Sequence, residues 1–174
     1  MALPKLTLVL GGAASGKSAF AEGLAKGGGQ PATYIATAQA FDDEMAQKIA
    51  RHKAQRGAGW HTIEEPLDLP RALAQAPKGQ PILIDCATLW LTNVILGDHD
   101  LLQHQQDALA AIASAPGPVV IVSNEVGYGL VPENALSRRS RNAQGRLNQD
   151  LARRADLVVT IMAGLPLVLK GSLP

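Results

Sequence analysis

One run, Gly11-Gly12-Ala13-Ala14-Ser15-Gly16-Lys17-Ser18, constrains this 174-residue chain more than any other feature. It matches G-x-x-x-x-G-K-S and sits where that pattern has mechanical meaning. The apolar strand-like Leu6-Thr7-Leu8-Val9-Leu10 precedes it, and an Ala-rich helical stretch from Ala19 to about Lys26 follows. Glycines let the backbone wrap so that several N–H groups face one phosphate. The following helix adds the positive end of its dipole. Lys17 is placed to reach β- and γ-phosphates, and Ser18 to ligate Mg²⁺. The run implies binding of a nucleotide and Mg²⁺, and leaves the reaction open.

A phosphate loop needs a carboxylate at the end of a neighbouring strand to hold the Mg²⁺ shell. Asp85, closing Ile82-Leu83-Ile84, is the best candidate, and Glu125, just past Val119 to Val122, is the other. Either could instead cap a following helix. Cys86 reads as a small core residue rather than a nucleophile.

The remaining pattern alternates strands and helices. Gly27-Gly28-Gly29 ends the first helix, and Ala32 to Ala36 is a second strand. Asp42 opens a helix to about Arg56. Trp60 to Glu64 alternates like an edge strand, and Asp68 to Ala76 is a short helix with Pro70 in its first turn. Helices follow at Thr88 to Leu96 and Asp100 to Ala115, and an Arg-rich one at Ser137 to Arg154. Strands are expected at Val119 to Val122, Leu157 to Met162 and Leu165 to Lys170. Asn124 to Leu136 holds too much Gly and Pro for a regular element. Strands apolar throughout imply an α/β fold: a mostly parallel sheet with helices on both faces. No repeat or linker divides the chain, so residues 1–174 read as one nucleotide-binding domain.

Composition excludes several function classes. Apolar residues reach 47%, but aromatics only 3%, which argues against a stacking platform for single-stranded nucleic acid. The charge is +1, so no global basic field exists to hold a polyanion. No apolar run approaches a membrane span, and the N-terminus does not read as a signal peptide. The single cysteine cannot pair within the chain, which fits a reducing, cytoplasmic setting.

The segment Asp42 to Arg56 carries acids in its first turn and bases in its last two, complementing the helix dipole. His52 falls beside the stripe of Met45 and Ile49, with Lys48, Arg51, Lys53 and Arg56 around it. By spacing alone it is either a packed or surface histidine, or a nucleophile in a phosphate-holding basic cluster. Arg138, Arg139, Arg141 and Arg146 read as a solvated helix face, with a phosphate contact as the alternative. No His or Cys spacing suits a metal site.

Several segments together carry a resemblance. They are the Gly11–Ser18 loop, Tyr34-Ile35-Ala36-Thr37-Ala38, Asp42-Asp43-Glu44-Met45 with Arg51-His52-Lys53, Asp85-Cys86, the run from Asn124 to Asn134, and Gly145-Arg146-Leu147-Asn148-Gln149. In order and spacing the chain resembles the bifunctional adenosylcobinamide kinase/adenosylcobinamide-phosphate guanylyltransferase family of cobalamin biosynthesis, from Leu6 to about Lys170. The resemblance implies a RecA-like P-loop fold and a homotrimer. It implies phosphorylation of adenosylcobinamide by a nucleoside triphosphate, with GTP or ATP as donor. GMP then passes from GTP to adenosylcobinamide phosphate, through a covalent intermediate on the residue matching His52. Family nucleotide contacts fall on Gly11, Gly12, Ala13, Ala14, Ser15, Gly16, Lys17, Ser18, Ala36, Thr37, Ala38, Lys53, Ala54, Gln55, Arg56, Glu64 and Asp85, with Ser18 and Asp85 at the metal.

The chain departs from the family pattern at three positions. Ala14 stands where relatives often carry Arg, and Ser140 and Asn142 where an aromatic and an Asp are expected. If that Asp assists the kinase step, the departure implies a weakened kinase or a guanylyltransferase alone. The other readings are a P-loop kinase for another small alcohol and a nucleotide-dependent switch. The guanine-reading Asn/Thr-Lys-x-Asp element of regulatory GTPases is not evident.

Overall fold

A computed structural model describes residues 2–40, 47 and 59–174. The expected helix from Asp42 to Arg56, and with it His52, Lys53, Ala54, Gln55 and Arg56, lies outside the described residues.

The described chain forms seven strands and five helices in the order β1 (Leu6–Gly11), α1 (Lys17–Lys26), β2 (Ala32–Ala36), β3 (Trp60–Glu64), α2 (Leu69–Ala74), β4 (Ile82–Asp85), α3 (Ala87–Leu96), α4 (Leu101–Ala113), β5 (Val119–Asn124), α5 (Ala135–Arg154), β6 (Leu157–Met162) and β7 (Leu165–Lys170). The strands make one sheet, ordered β3-β2-β4-β5-β1-β6-β7. All pairings are parallel except the final β6–β7 hairpin. The phosphate-loop strand β1 is thus flanked by β5 and β6, and β4 lies one strand beyond β5.

Period-two alternation sorts each strand into two faces. Leu6, Leu8, Ile35, Ile82, Ile84, Val119 and Ile121 pack under α2, α3, α4 and α5. Val9, Tyr34, Leu83, Val120, Val122, Leu157 and Val159 pack on the other face with Ala21 and Ala25 of α1. Small alanines let α1 approach closely. Both faces being covered explains why these strands are apolar throughout.

Helix starts are set by local chemistry. Asp68, Asp100 and Asn134 cap α2, α4 and α5, each accepting the N–H three residues on. The Asn134 cap starts α5 two residues before the expected Ser137. Helix α1 also starts earlier than Ala19, at Lys17, because Gly16 takes a left-handed conformation (φ 95°) and turns the chain directly into the helix. Strand β5 runs two residues past Val122, paired throughout with β1.

Candidate active site

The parallel strands all end at one edge of the sheet, and the phosphate loop crowns it. In register, Gly11 lies opposite Asn124, and Ala36 lies opposite both Glu64 and Asp85. The loop's shape is enforced from below. A Cβ on Gly11 would stand 2.8 Å from the Ile161 carbonyl oxygen and 2.4 Å from Ser15 Oγ, so only glycine fits. Ala14 itself has φ 55°, a left-handed conformation unusual for alanine. The loop is tied to its neighbours by Glu125 N–H on the Gly11 carbonyl (3.0 Å) and Gly164 N–H on the Ser15 carbonyl (2.9 Å).

Lys17 is buried, and its Nζ donates to the Gly12 carbonyl at 2.9 Å. This holds the ammonium over the loop. Ser18 is half-buried in the first turn of α1. Asp85 ends β4 on the α1 face, the side shared with Leu83 and Tyr34. The Tyr34 hydroxyl donates to Asp85 Oδ2 at 2.8 Å. Tyr34 is itself held edge-on against Trp60, ring centroids 5.6 Å apart.

Asp85, the carboxylate favoured by sequence, therefore sits on the phosphate-loop face. Glu125 Oε1 instead accepts the Gly127 N–H at 2.7 Å and shapes its own loop. Cys86 is buried and caps α3, its Sγ accepting the Leu89 N–H. Burial foremost, and then the Asp85 charge, push its thiol up to about 11, so it is a neutral core group.

Thr37 is locked in place. Its Oγ1 donates to the Cys86 carbonyl and accepts the Cys86 N–H, both at 2.8 Å, and Asn93 Nδ2 donates to its carbonyl at 2.8 Å. Ala36, Thr37 and Ala38 thus form a rigid step between the ends of β2 and β4. Glu64, exposed at the end of β3, borders that step. The structure gathers Gly11–Ser18, Ala36–Ala38, Glu64 and Asp85 along one edge.

Sequence reading missed three supporting groups. Glu65 is buried, accepts N–H groups of Leu67 and Asp68, and pairs with Arg71. Burial alone would raise its carboxyl, but the hydrogen bonds from Asp68, Arg71 and Leu67 together hold it below the usual carboxylate range. Asn93, a buried amide in the largely apolar helix α3, also binds the Pro66 carbonyl. Ser123, Gln144 and Asn148 form a buried network: Ser123 Oγ donates to Asn148 Oδ1 at 2.6 Å, and Asn148 Nδ2 donates to the Asn124 carbonyl at 3.1 Å. The i,i+4 spacing of Gln144 and Asn148 on one helical face was the available signal.

The arginine run of α5 divides. Arg139 and Arg146 are exposed, as expected of a solvated face. Arg138 donates to the Pro132 and Glu133 carbonyls, and Arg141 to the Leu130 carbonyl, so these two hold the β5–α5 loop.

Comparison with known proteins gives the family. Residues 7–169 match the family described as cobinamide kinase / cobinamide phosphate guanyltransferase. The chain belongs to this family. It is 48% identical over 167 residues to the bifunctional adenosylcobalamin biosynthesis protein CobP of Pseudomonas aeruginosa, covering 94% of this chain and 96% of that one. It is 41% identical to CobU of Salmonella typhimurium, covering 95% and 99%. Among solved structures it resembles the RadB recombinase (TM-score 0.53, 16% identity, 91% of this chain and 74% of that chain). It also resembles a solved ATPase domain (TM-score 0.51, 13% identity, 90% and 69%). These likenesses show the fold alone, a P-loop NTPase arrangement. Among the described residues, no helix is long and apolar enough to cross a membrane.

Proposed function

We propose that this member of the bifunctional family phosphorylates the side-chain hydroxyl of adenosylcobinamide with GTP or ATP. It then converts the product to adenosylcobinamide-GDP, with His52 carrying the GMP. The observation that carries the reading is the convergence of the Gly11–Ser18 loop, buried Lys17 and tyrosine-oriented Asp85 at one strand edge of a chain in this family.

The donor set suits Mg²⁺. A hydroxyl (Ser18) and a carboxylate (Asp85) are hard oxygen ligands, too few for a protein cage but appropriate for an ion that keeps water and nucleotide phosphates. Among the described residues, no cluster of three or more His, Cys, Asp or Glu forms a self-sufficient site. When bound, Mg²⁺ neutralises charge on the departing phosphates.

In the kinase step, the loop N–H groups and Lys17 hold the β- and γ-phosphates in line for the acceptor hydroxyl. That oxygen bonds to the γ-phosphorus, the β–γ bridge breaks, and the hydroxyl proton leaves to solvent. In the second step, a neutral imidazole nitrogen of His52 attacks the α-phosphorus of GTP. An N–P bond forms, the α–β bridge breaks, and pyrophosphate departs. Lys53 and Arg56 offset the developing charge. The phosphate oxygen of adenosylcobinamide phosphate then displaces the histidine, forming the new diphosphate and regenerating free imidazole. Ala36 to Ala38 and Glu64 border the nucleotide in this reading. The protein acts as a homotrimer in the cytoplasm.

Intact-mass spectrometry after incubation with Mg²⁺ and GTP tests the covalent step. One added GMP on the wild type, absent from His52→Ala, supports it. No adduct on protein that binds GTP removes the histidine intermediate.

A further inference from the structure

The loop that leaves β5 carries side chains that catalysis at the phosphates does not explain. Tyr128 and Leu130 are almost fully exposed, at 94% and 97%, and Val126 and Val131 are also uncovered. Apolar groups displayed this way on a loop mark a binding surface rather than a core. The loop is nevertheless held, by Arg138 and Arg141 on its carbonyls and by Glu125 on Gly127 N–H. Between it, α3 and α5 lies a groove of about 400 Å³. Leu96, Val126 and Leu130 line its apolar side, and Thr92, Ser140 and Arg141 supply polar groups.

The groove is coupled to the phosphate loop through two consecutive residues. Thr88, also on the groove wall, accepts the Asn124 N–H on its Oγ1 at 2.8 Å. The next residue, Glu125, donates its N–H to the Gly11 carbonyl at 3.0 Å. A ligand seated in the groove therefore lies across the strand ends from the nucleotide phosphates. The groove and loop combine an apolar surface with hydroxyl, amide and guanidinium groups. That mixture matches a macrocycle whose faces and methyl groups are apolar and whose rim bears amide side chains.

We propose that this groove and the Val126–Val131 loop form the acceptor subsite. The groove takes the amide-fringed edge of the corrinoid, the exposed loop residues cover its apolar surface, and its hydroxyl-bearing arm crosses the end of β5 toward the phosphate loop. The assignment rests on the kinase and guanylyltransferase reading above, and it places the acceptor on the α3–α5 side, away from α1.

The test uses Leu96→Glu and Leu130→Glu, both exposed positions, with Leu102→Glu on α4 as control. Two quantities are measured: KM and kcat for adenosylcobinamide phosphorylation, and equilibrium dialysis of adenosylcobinamide followed by its own visible absorption. The expected result is a rise of about tenfold or more in KM and in the dialysis Kd for both groove variants. The KM for nucleotide and the yield of GMP adduct stay unchanged, and Leu102→Glu behaves as wild type. Unchanged corrinoid affinity in an active enzyme overturns the subsite while leaving the activity reading intact. A changed oligomeric state of the groove variants in sedimentation also overturns it, because the groove is then a contact between copies. A wild type that neither binds nor phosphorylates adenosylcobinamide removes the activity reading and the subsite together.

Discussion

Replacing Gly11 by alanine tests whether the phosphate loop is shaped by the sheet beneath it. The new Cβ would sit 2.4 Å from Ser15 Oγ and 2.8 Å from the Ile161 carbonyl oxygen. The first clash is soft, since the serine can rotate. The second is not, because that oxygen belongs to β6, paired directly with β1 in the middle of the sheet. Overpacking of this kind costs roughly 1–3 kcal/mol. For a chain of this size that lowers Tm by about 2–12 °C. Gly12 is the internal control. A Cβ there meets nothing within 4 Å, so Gly12→Ala should stay within about 2 °C of wild type. The double variant Gly11→Ala/Ser15→Ala removes only the soft clash and should recover only part of the loss. Thermal unfolding without nucleotide is the assay, since bound ligand would mask the difference. Gly11→Ala melting together with Gly12→Ala would refute the argument.

Two further outcomes follow from the site. Tyr34→Phe removes the hydroxyl that orients Asp85. Kinase rate at limiting Mg²⁺ should fall about tenfold and recover at high Mg²⁺, whereas a purely structural role would give a loss that added Mg²⁺ does not repair. Cys86 gives a pH dependence with a definite sign. Its folded value is raised by burial from 9.0 to about 11, so the folded state holds the proton more tightly. The contribution, roughly 2–3 kcal/mol, is complete below pH 9 and disappears as pH rises toward about 11. Urea unfolding from pH 8 to 11 should show a steeper loss for wild type than for Cys86→Ala, and parallel curves would contradict it.

Much of the site was legible because its chemistry is local. A strand, eight residues and a helix specify the phosphate loop, and Asp85 announces itself as the polar end of an apolar run. Helix starts at Asp68 and Asp100 were readable for the same reason, whereas the Asn134 cap lay hidden in a stretch read as irregular. What stayed hidden depends on pairing across the sequence. Nothing near Tyr34 indicates that its hydroxyl meets a carboxylate 51 positions away. Nothing near Ser123 indicates that it bonds Asn148 rather than turning outward. Strand order creates these contacts, and spacing along the chain does not encode strand order. The arginines of α5 show the same limit. Their charge pattern suited a solvated face, but two of them meet carbonyls of a loop whose path the pattern could not supply.

The departures from the family pattern also change meaning once placed. Asn142 is exposed on α5, while its neighbours Ala143 and Gln144 are buried on the side that meets the sheet. A helix turns about 100° per residue, so Asn142 faces away from the groove wall formed by Ser137, Ser140, Arg141 and Gln144. An Asp at that position would not reach a hydroxyl seated in the groove of the same subunit. On the proposed subsite, the Asn142 departure is therefore expected to leave the kinase step within one chain intact. Ala14 is different, because it belongs to the loop itself. Its left-handed backbone (φ 55°) is set by the wrap of the loop, and the identity of its side chain does not determine that path. The departure at Ala14 is therefore expected to leave the loop N–H groups in place, and Ala14→Arg should change the nucleotide Kd without altering the loop path.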